Sequence, residues 1–187
     1  MDVRFIVKLN MSDTSEMCIT RREGFKIYYH LSSEVPTIFH AHDFLDLNFK
    51  CIHTISTVKY KTGQLLRSYS YGTRKCFFDG ERKLIFFKAY TKAHCDLECL
   101  TNFTLHECGC VKFSMPRSNV TPVCDLDKVD CYLNAYSRWP KYDANSNTSA
   151  MPCDCFPPCT DIKYNVKQKA TSILSAQTSN TIRRLKK

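Results

Sequence analysis

No stretch of this 187-residue chain approaches the roughly 18 consecutive apolar residues that a bilayer-spanning helix needs, so nothing in it reads as a membrane span. Glycine and proline are scarce, five and seven, which argues against a low-complexity or disordered chain. There is no Gly-rich phosphate loop and no Ser/His/Asp or Cys/His constellation. The six histidines do not cluster at metal-ligand spacing, and His40 and His42, two apart, read as a solvated loop. We therefore expect no enzyme, no cofactor and no metal. The first ten residues, Met1 to Asn10, hold too short an apolar stretch, cut by Arg4 and Lys8, to serve as a signal peptide.

What the chain has instead is cysteine. Twelve occur, and ten of them are spaced as a mirror about the middle of the chain. Going in, the order is Cys76, Cys95-xxx-Cys99, Cys108-x-Cys110. Coming out, it is Cys124, Cys131, Cys153-x-Cys155-xxx-Cys159. Cysteine at this density points to disulfides and an oxidising compartment. Zinc is the structural alternative, but the short spacings are C-x-C and C-xxx-C rather than the usual zinc clamps. A chain made for the secretory lumen needs a targeting segment, so we expect this one to be an internal piece of a longer protein.

The net charge of +9 shrinks once it is located. Lys163, Lys167, Lys169, Arg183, Arg184, Lys186 and Lys187 lie in residues 163–187, which hold no acidic residue, and this leaves about +2 elsewhere. A basic tail of this kind is not the stripe that phosphate recognition needs, and we expect no nucleic-acid partner.

Along the chain, Gly24 to His30 alternates Phe25, Ile27 and Tyr29 on one face and reads as a half-buried strand, ended by the turn formers of Ser32 to Pro36. Cys51 to Tyr60 is rich in β-branched residues and reads as a second strand, with a turn at residues 61–63. Residues 84–106 contain the best helix, capped by Thr91, with Ala93, Leu97, Leu100 and Phe103 only loosely covering one side. Such a helix would rely on covalent staples more than on burial. A short helix or turn is expected after Tyr132, an extended segment at 162–166, and weak order after Ser172.

Cys95 and Cys99 share a helix face with Cα atoms about 6 Å apart along the axis. Cys153 and Cys155, if extended, share a face about 6.6 Å apart. The spacings match, so two rungs are geometrically possible, Cys95–Cys155 and Cys99–Cys153. Cys76 and Cys159 would close the outer end, and Cys108, Cys110, Cys124 and Cys131 would pair within the excursion. Spacing alone leaves the choice open among about 945 connectivities of ten cysteines.

Gly24 to Pro36 resembles the palm strand of degenerin/epithelial sodium channel subunits, the amiloride-sensitive sodium channel family. Tyr90-Thr-Lys-Ala-His-Cys-Asp-Leu-Glu-Cys-Leu-Thr-Asn-Phe-Thr104 and Cys108-Gly-Cys-Val-Lys-Phe-Ser-Met-Pro116 are similar to the thumb of its pickpocket branch. Thr121-Pro-Val-Cys124 and Cys153-Asp-Cys-Phe-Pro-Pro-Cys-Thr160 complete a match over about residues 22–167. The resemblance implies an α+β, disulfide-rich fold, a partial extracellular domain with palm β-strands and a disulfide-stapled helical thumb. It divides the chain into a palm-like β portion (1–75), the thumb (76–159), and a returning palm strand with a basic tail (160–187). It implies the pairs Cys76–Cys159, Cys95–Cys155, Cys99–Cys153, Cys108–Cys131 and Cys110–Cys124. Cys18 and Cys51 have no counterpart in it. They are left with three states: a mutual bond, a bond to a segment upstream, or free thiols.

By the same resemblance the whole protein would be a sodium channel subunit of the plasma membrane, gated by a ligand or by force and amiloride-sensitive. Other subunits would be its partners in a homo- or hetero-trimer, sodium its ion, and flanking helices not in this chain its membrane anchor. The resemblance stops at two places. Acid-sensing relatives carry paired carboxylates on the second thumb helix, and Cys131 to Trp139 has none; they also have a Trp before the first thumb cysteine, where this chain offers Tyr71. The alternatives are a secreted cysteine-rich binding module, a non-conducting truncated product of the same family, or an intracellular zinc protein. Four N-x-S/T sequons occur, at Asn10, Asn102, Asn119 and Asn147. Asn119 and Asn147 fall in loops and are the expected glycan sites. Asn102 shares a helix stripe with Cys95 and Cys99, where a glycan is expected to collide with the rungs.

Overall fold

The computed structural model describes residues 4–7, 24–37, 39–40, 42–47, 49–139 and 153–172. Cys18, Asn10, Asn147 and the tail after Ser172 lie outside the described residues. The chain divides into two compact units. One takes residues 1–29, 41–56 and 165–187, the other residues 30–40 and 57–164.

In the first unit, strand β1 (Gly24–Tyr28) pairs antiparallel with β2 (His42–Asp46), Gly24 opposite Asp46 and Tyr28 opposite His42. Gly24 sits at φ +148°, and a Cβ there would lie 2.3 Å from the Leu45 carbonyl oxygen, so only glycine fits. Beside this pair the Tyr29 hydroxyl donates to Asp43 Oδ2 at 3.0 Å and lies 2.6 Å from His53 Nδ1. Burial, then the bond to Asp43, pushes the Tyr29 hydroxyl well above its ordinary range. β2 was not foreseen. Its five residues, His-Asp-Phe-Leu-Asp, are too short and too charged to stand out by alternation, and it exists by pairing with β1.

Strands β3 (Phe49–Lys61) and β4 (Thr160–Ser172) form a two-stranded ribbon. Contacts fall in the order Thr62 with Cys159, Ser56 with Asn165 and Cys51 with Gln168, which is the order of an antiparallel pair. The segments expected to be extended at Cys51–Tyr60 and 162–166 are there, each longer at both ends. β1 instead stops at Tyr28, short of the Tyr29 and His30 expected to continue it.

The second unit carries the helices. A 3₁₀ turn (Gln64–Ser68) and the one-turn helix α1 (Tyr71–Arg74) lead to an irregular loop, then to α2 (Lys92–Cys108). Thr91 caps α2 as expected, its hydroxyl accepting the His94 N–H at 3.1 Å. Gly109 ends the helix at φ 71°, its N–H donating to the Leu105 carbonyl at 2.8 Å. Helix α3 (Val129–Arg138) follows a 3₁₀ turn (Leu126–Lys128).

The core of this unit is small and built around sulfur. Cys95, Cys99 and Cys155 cluster with Leu84, Tyr90, Trp139 and Cys153, while Leu100, Val111 and Met115 pack with Leu105 and Trp139. α2 is not the one-sided helix its apolar residues suggest. His94, Glu98, Thr101 and Thr104 are buried as well, and both threonines bond back to the carbonyls of Leu97 and Leu100 at 2.8 Å. Among the described residues no helix is long and apolar enough to cross a membrane.

Candidate functional site

The feature that distinguishes this chain is the cross-linked pair α2 and α3 with the strap at residues 153–159. Five cysteine pairs stand at bonding distance. Their Cα separations are 5.0 Å for Cys76–Cys159, 5.6 Å for Cys95–Cys155, 6.2 Å for Cys99–Cys153, 5.9 Å for Cys108–Cys131 and 5.0 Å for Cys110–Cys124. All lie within the roughly 4.4–6.8 Å that an unstrained bridge spans.

The two central rungs form as the helix spacing allows, but the strap differs from expectation. It is not a strand. The Cys155 N–H turns back to the Cys153 carbonyl, closing a three-residue turn at Asp154, and residues 153–157 pair with no other strand. The turn brings the two sulfurs to the same side by a shorter route than an extended chain.

Polar groups fasten the remaining segments to α2. Glu98 is only 8% exposed, and its carboxylate accepts the N–H groups of Ile85 at 2.9 Å and Phe86 at 3.0 Å, which pins the irregular loop before the helix. His94 is 2% exposed and stacks on Phe87 with ring centroids 4.0 Å apart. Its Nε2 accepts the Val35 N–H at 3.0 Å, so the ring proton sits on Nδ1 and donates to the Ala89 carbonyl at 3.1 Å. One imidazole thus ties three segments together.

Around Val35, the solvated loop expected at His40 is instead a packed turn. The His40 side chain is 7% exposed; its Nδ1 accepts the Thr37 N–H at 3.0 Å and its Nε2 faces Glu34 at 3.1 Å. Burial pushes the Glu34 carboxyl up, but the Leu31 N–H and His40 together hold it below the ordinary glutamate range.

The outer end is closed by an arginine and aromatic rings. Arg74 pairs with Glu81 and donates from Nε to the Cys76 carbonyl at 3.0 Å, while its guanidinium lies 4.9 Å from the Phe78 ring centre. Phe77 meets Tyr90 edge-on at 5.3 Å, and the Tyr90 hydroxyl donates to the Phe156 carbonyl at 2.6 Å. Burial pushes that hydroxyl far above its ordinary range. Tyr71 packs 5.2 Å from Phe77 yet stays 47% exposed. At the far end Arg138 of α3 pairs with Glu107 of α2, beside the Cys108–Cys131 bridge.

The chain matches the model of the family described as amiloride-sensitive sodium channel over residues 1–187. The chain belongs to that family. Pickpocket protein 28 of Drosophila melanogaster is 26% identical over 172 residues, covering 90% of this chain and 28% of the relative. Pickpocket protein 11 of the same organism is 26% identical over 145 residues, covering 78% and 27%. The sodium channel protein Nach of Drosophila virilis is 22% identical over 152 residues, covering 81% and 38%. The chain therefore spans well under half the length of these curated relatives. The family is one of ion channels, not of enzymes.

Of the two cysteines without a family partner, Cys51 is unbonded and half-buried, with Gln168 Nε2 3.4 Å from its sulfur. Asn119 is exposed in a turn where the Thr121 N–H donates to the Ser118 carbonyl at 3.1 Å. Sequence reasoning missed His94, Glu98 and Arg74. The signal was faint but present: His94 and Glu98 each directly precede a rung cysteine, so each lies about 100° from the strap rather than opposite it.

Proposed function

We propose that this chain is the palm-and-thumb portion of the extracellular domain of a sodium channel subunit. Residues 1–75 are its palm-like β portion, 76–159 its thumb and 160–187 the returning palm strand with its tail. The intact subunit sits in the plasma membrane, assembles with other subunits as a homo- or hetero-trimer, and passes sodium in an amiloride-sensitive way when a ligand or force moves the outer domain. The ten paired cysteines are structural, and Asn119 and Asn147 carry glycans.

One observation carries this reading: a helix stapled at both ends, inside a family match that runs the length of the chain. A lever must move without bending. Helix α2 is tied to the strap by Cys95–Cys155 and Cys99–Cys153, covalent links that hold the two as one body, and each contributes about 4 kcal/mol to the stability of the fold in the chain-entropy model. These contributions are not independent. With one rung gone, a displacement of the thumb tip is absorbed within α2 instead of reaching the base at Cys76–Cys159.

The test is current recording on the complete subunit carrying Cys99→Ser, Cys153→Ser or both, with surface biotinylation alongside. Each single variant loses most amiloride-sensitive current, through gating or surface delivery, and the double variant is no worse than either single. Wild-type currents from all three would overturn the lever role.

A further inference from the structure

We propose that Asn102 carries an N-linked glycan; this rests on the extracellular reading above. Asn102-Phe103-Thr104 is a sequon within α2. Cys95, Cys99 and Asn102 share one stripe of the helix, since Asn102 lies seven and three residues beyond them. On spacing alone the strap over the cysteines blocks that stripe. The structure separates the two halves of it. Cys95 and Cys99 are buried at 2% and 6% under the strap, whereas Asn102 is exposed and His106, four residues further on, has a side chain 74% exposed. The strap covers two turns and leaves the rest of the stripe open, so a glycan there projects into solvent.

Timing supports the same assignment. In the folded unit Thr104 is fully buried and its hydroxyl donates to Leu100, so the sequon is readable only before α2 docks. The staple nearest to it, Cys99–Cys153, spans 54 residues. At about 5–20 residues per second the chain needs roughly 3–11 s to deliver Cys153 after Cys99. During that interval neither rung holds the turns of α2 that carry Cys95, Cys99 and Asn102. The Cys108–Cys131 bridge, 23 residues apart, can close earlier but only at the last residue of the helix, so Asn102 enters the lumen before the strap is in place. The folded state then tolerates what the nascent chain acquired.

Glycopeptide mapping decides it, on protein expressed from its native transcript in a secretory eukaryotic host. Peptide N-glycosidase in heavy-oxygen water converts each occupied Asn to labelled Asp. The expected result is label at Asn102 in most molecules, lost without loss of secretion in Asn102→Gln, whose changed side chain is exposed. Thr104→Val, which keeps the shape of a buried residue but destroys the sequon, removes the same label. Label at Asn102 supports the proposal whatever the state of Asn119. Label at Asn119 with Asn102 bare overturns this proposal and leaves the extracellular reading standing. No label at any sequon overturns both.

Discussion

Glu98 shows how a single side chain substitutes for a missing core. Its carboxylate is buried and accepts two backbone N–H groups from a loop that has no secondary structure to satisfy them. Glu98→Ala removes the acceptor of both N–H groups; Ile85 is 79% exposed, so water can replace part of what is lost, and the cost is about 1–2 kcal/mol. In a protein of this size that lowers Tm by about 2–8 °C. Glu98→Gln keeps one acceptor oxygen and recovers part of the loss. Thermal unfolding of the oxidised protein measures this, and an unchanged Tm in Glu98→Ala would show that the loop is held by something else. No local pattern announced this role. In sequence Glu98 is an ordinary charged position on a weakly amphipathic helix, and its partners lie 12 and 13 residues upstream in a segment with no periodicity. His94 is harder still, because the Val35 N–H it accepts lies 59 residues away.

At the scale of elements, the helix was legible where its signals are local. Thr91 as the start and a glycine at the end follow from backbone groups that any helix leaves unpaired. Thr91→Ala removes the cap to the His94 N–H, and Gly109→Ala forces a side chain into a left-handed backbone, although its Cβ would meet nothing within 4 Å. Each costs about 1 kcal/mol, the first from a lost hydrogen bond and the second from backbone strain alone. Urea unfolding of the two variants checks both values, and their effects should add, because the sites lie at opposite ends of α2. An equal midpoint for Gly109→Ala would mean that the left-handed turn is dispensable. Strands β1 and β3 were legible from alternation and β-branching. β2 was not, since five residues bounded by charge carry too little pattern, and neither was the turn at Asp154, where a strand and a tight turn make the same demand on Cys-x-Cys spacing.

For the molecule as a whole, the five bridges are fully nested, with sequence separations of 14, 23, 54, 60 and 83 from the inside out. No bridge crosses another, so each can close without threading the chain through an earlier loop. Loop-closure entropy favours the 14-residue separation over the 83-residue one by about 1.6 kcal/mol, roughly fifteenfold. Oxidative refolding from the reduced chain should therefore show Cys110–Cys124 first and Cys76–Cys159 last. Quenching with iodoacetamide at intervals and mapping the bridged peptides tests the order. Early accumulation of Cys76–Cys159 would mean that contacts formed before oxidation, such as Phe77 against Tyr90, override chain entropy.

The amino-acid sequence by itself determined the family, the central helix and which cysteines mirror which. These signals are local or covalent: a cap sits three residues from the donor it satisfies, and a cysteine's identity survives at any distance. Only the tertiary structure decided which side of α2 is open beyond the strap and that Glu98, His94 and His40 are internal fasteners. It also decided that the strap is a turn. Those facts depend on which backbone groups are left unpaired when distant segments meet, and a hydrogen-bond partner many residues away leaves no periodic trace in the chain that will need it.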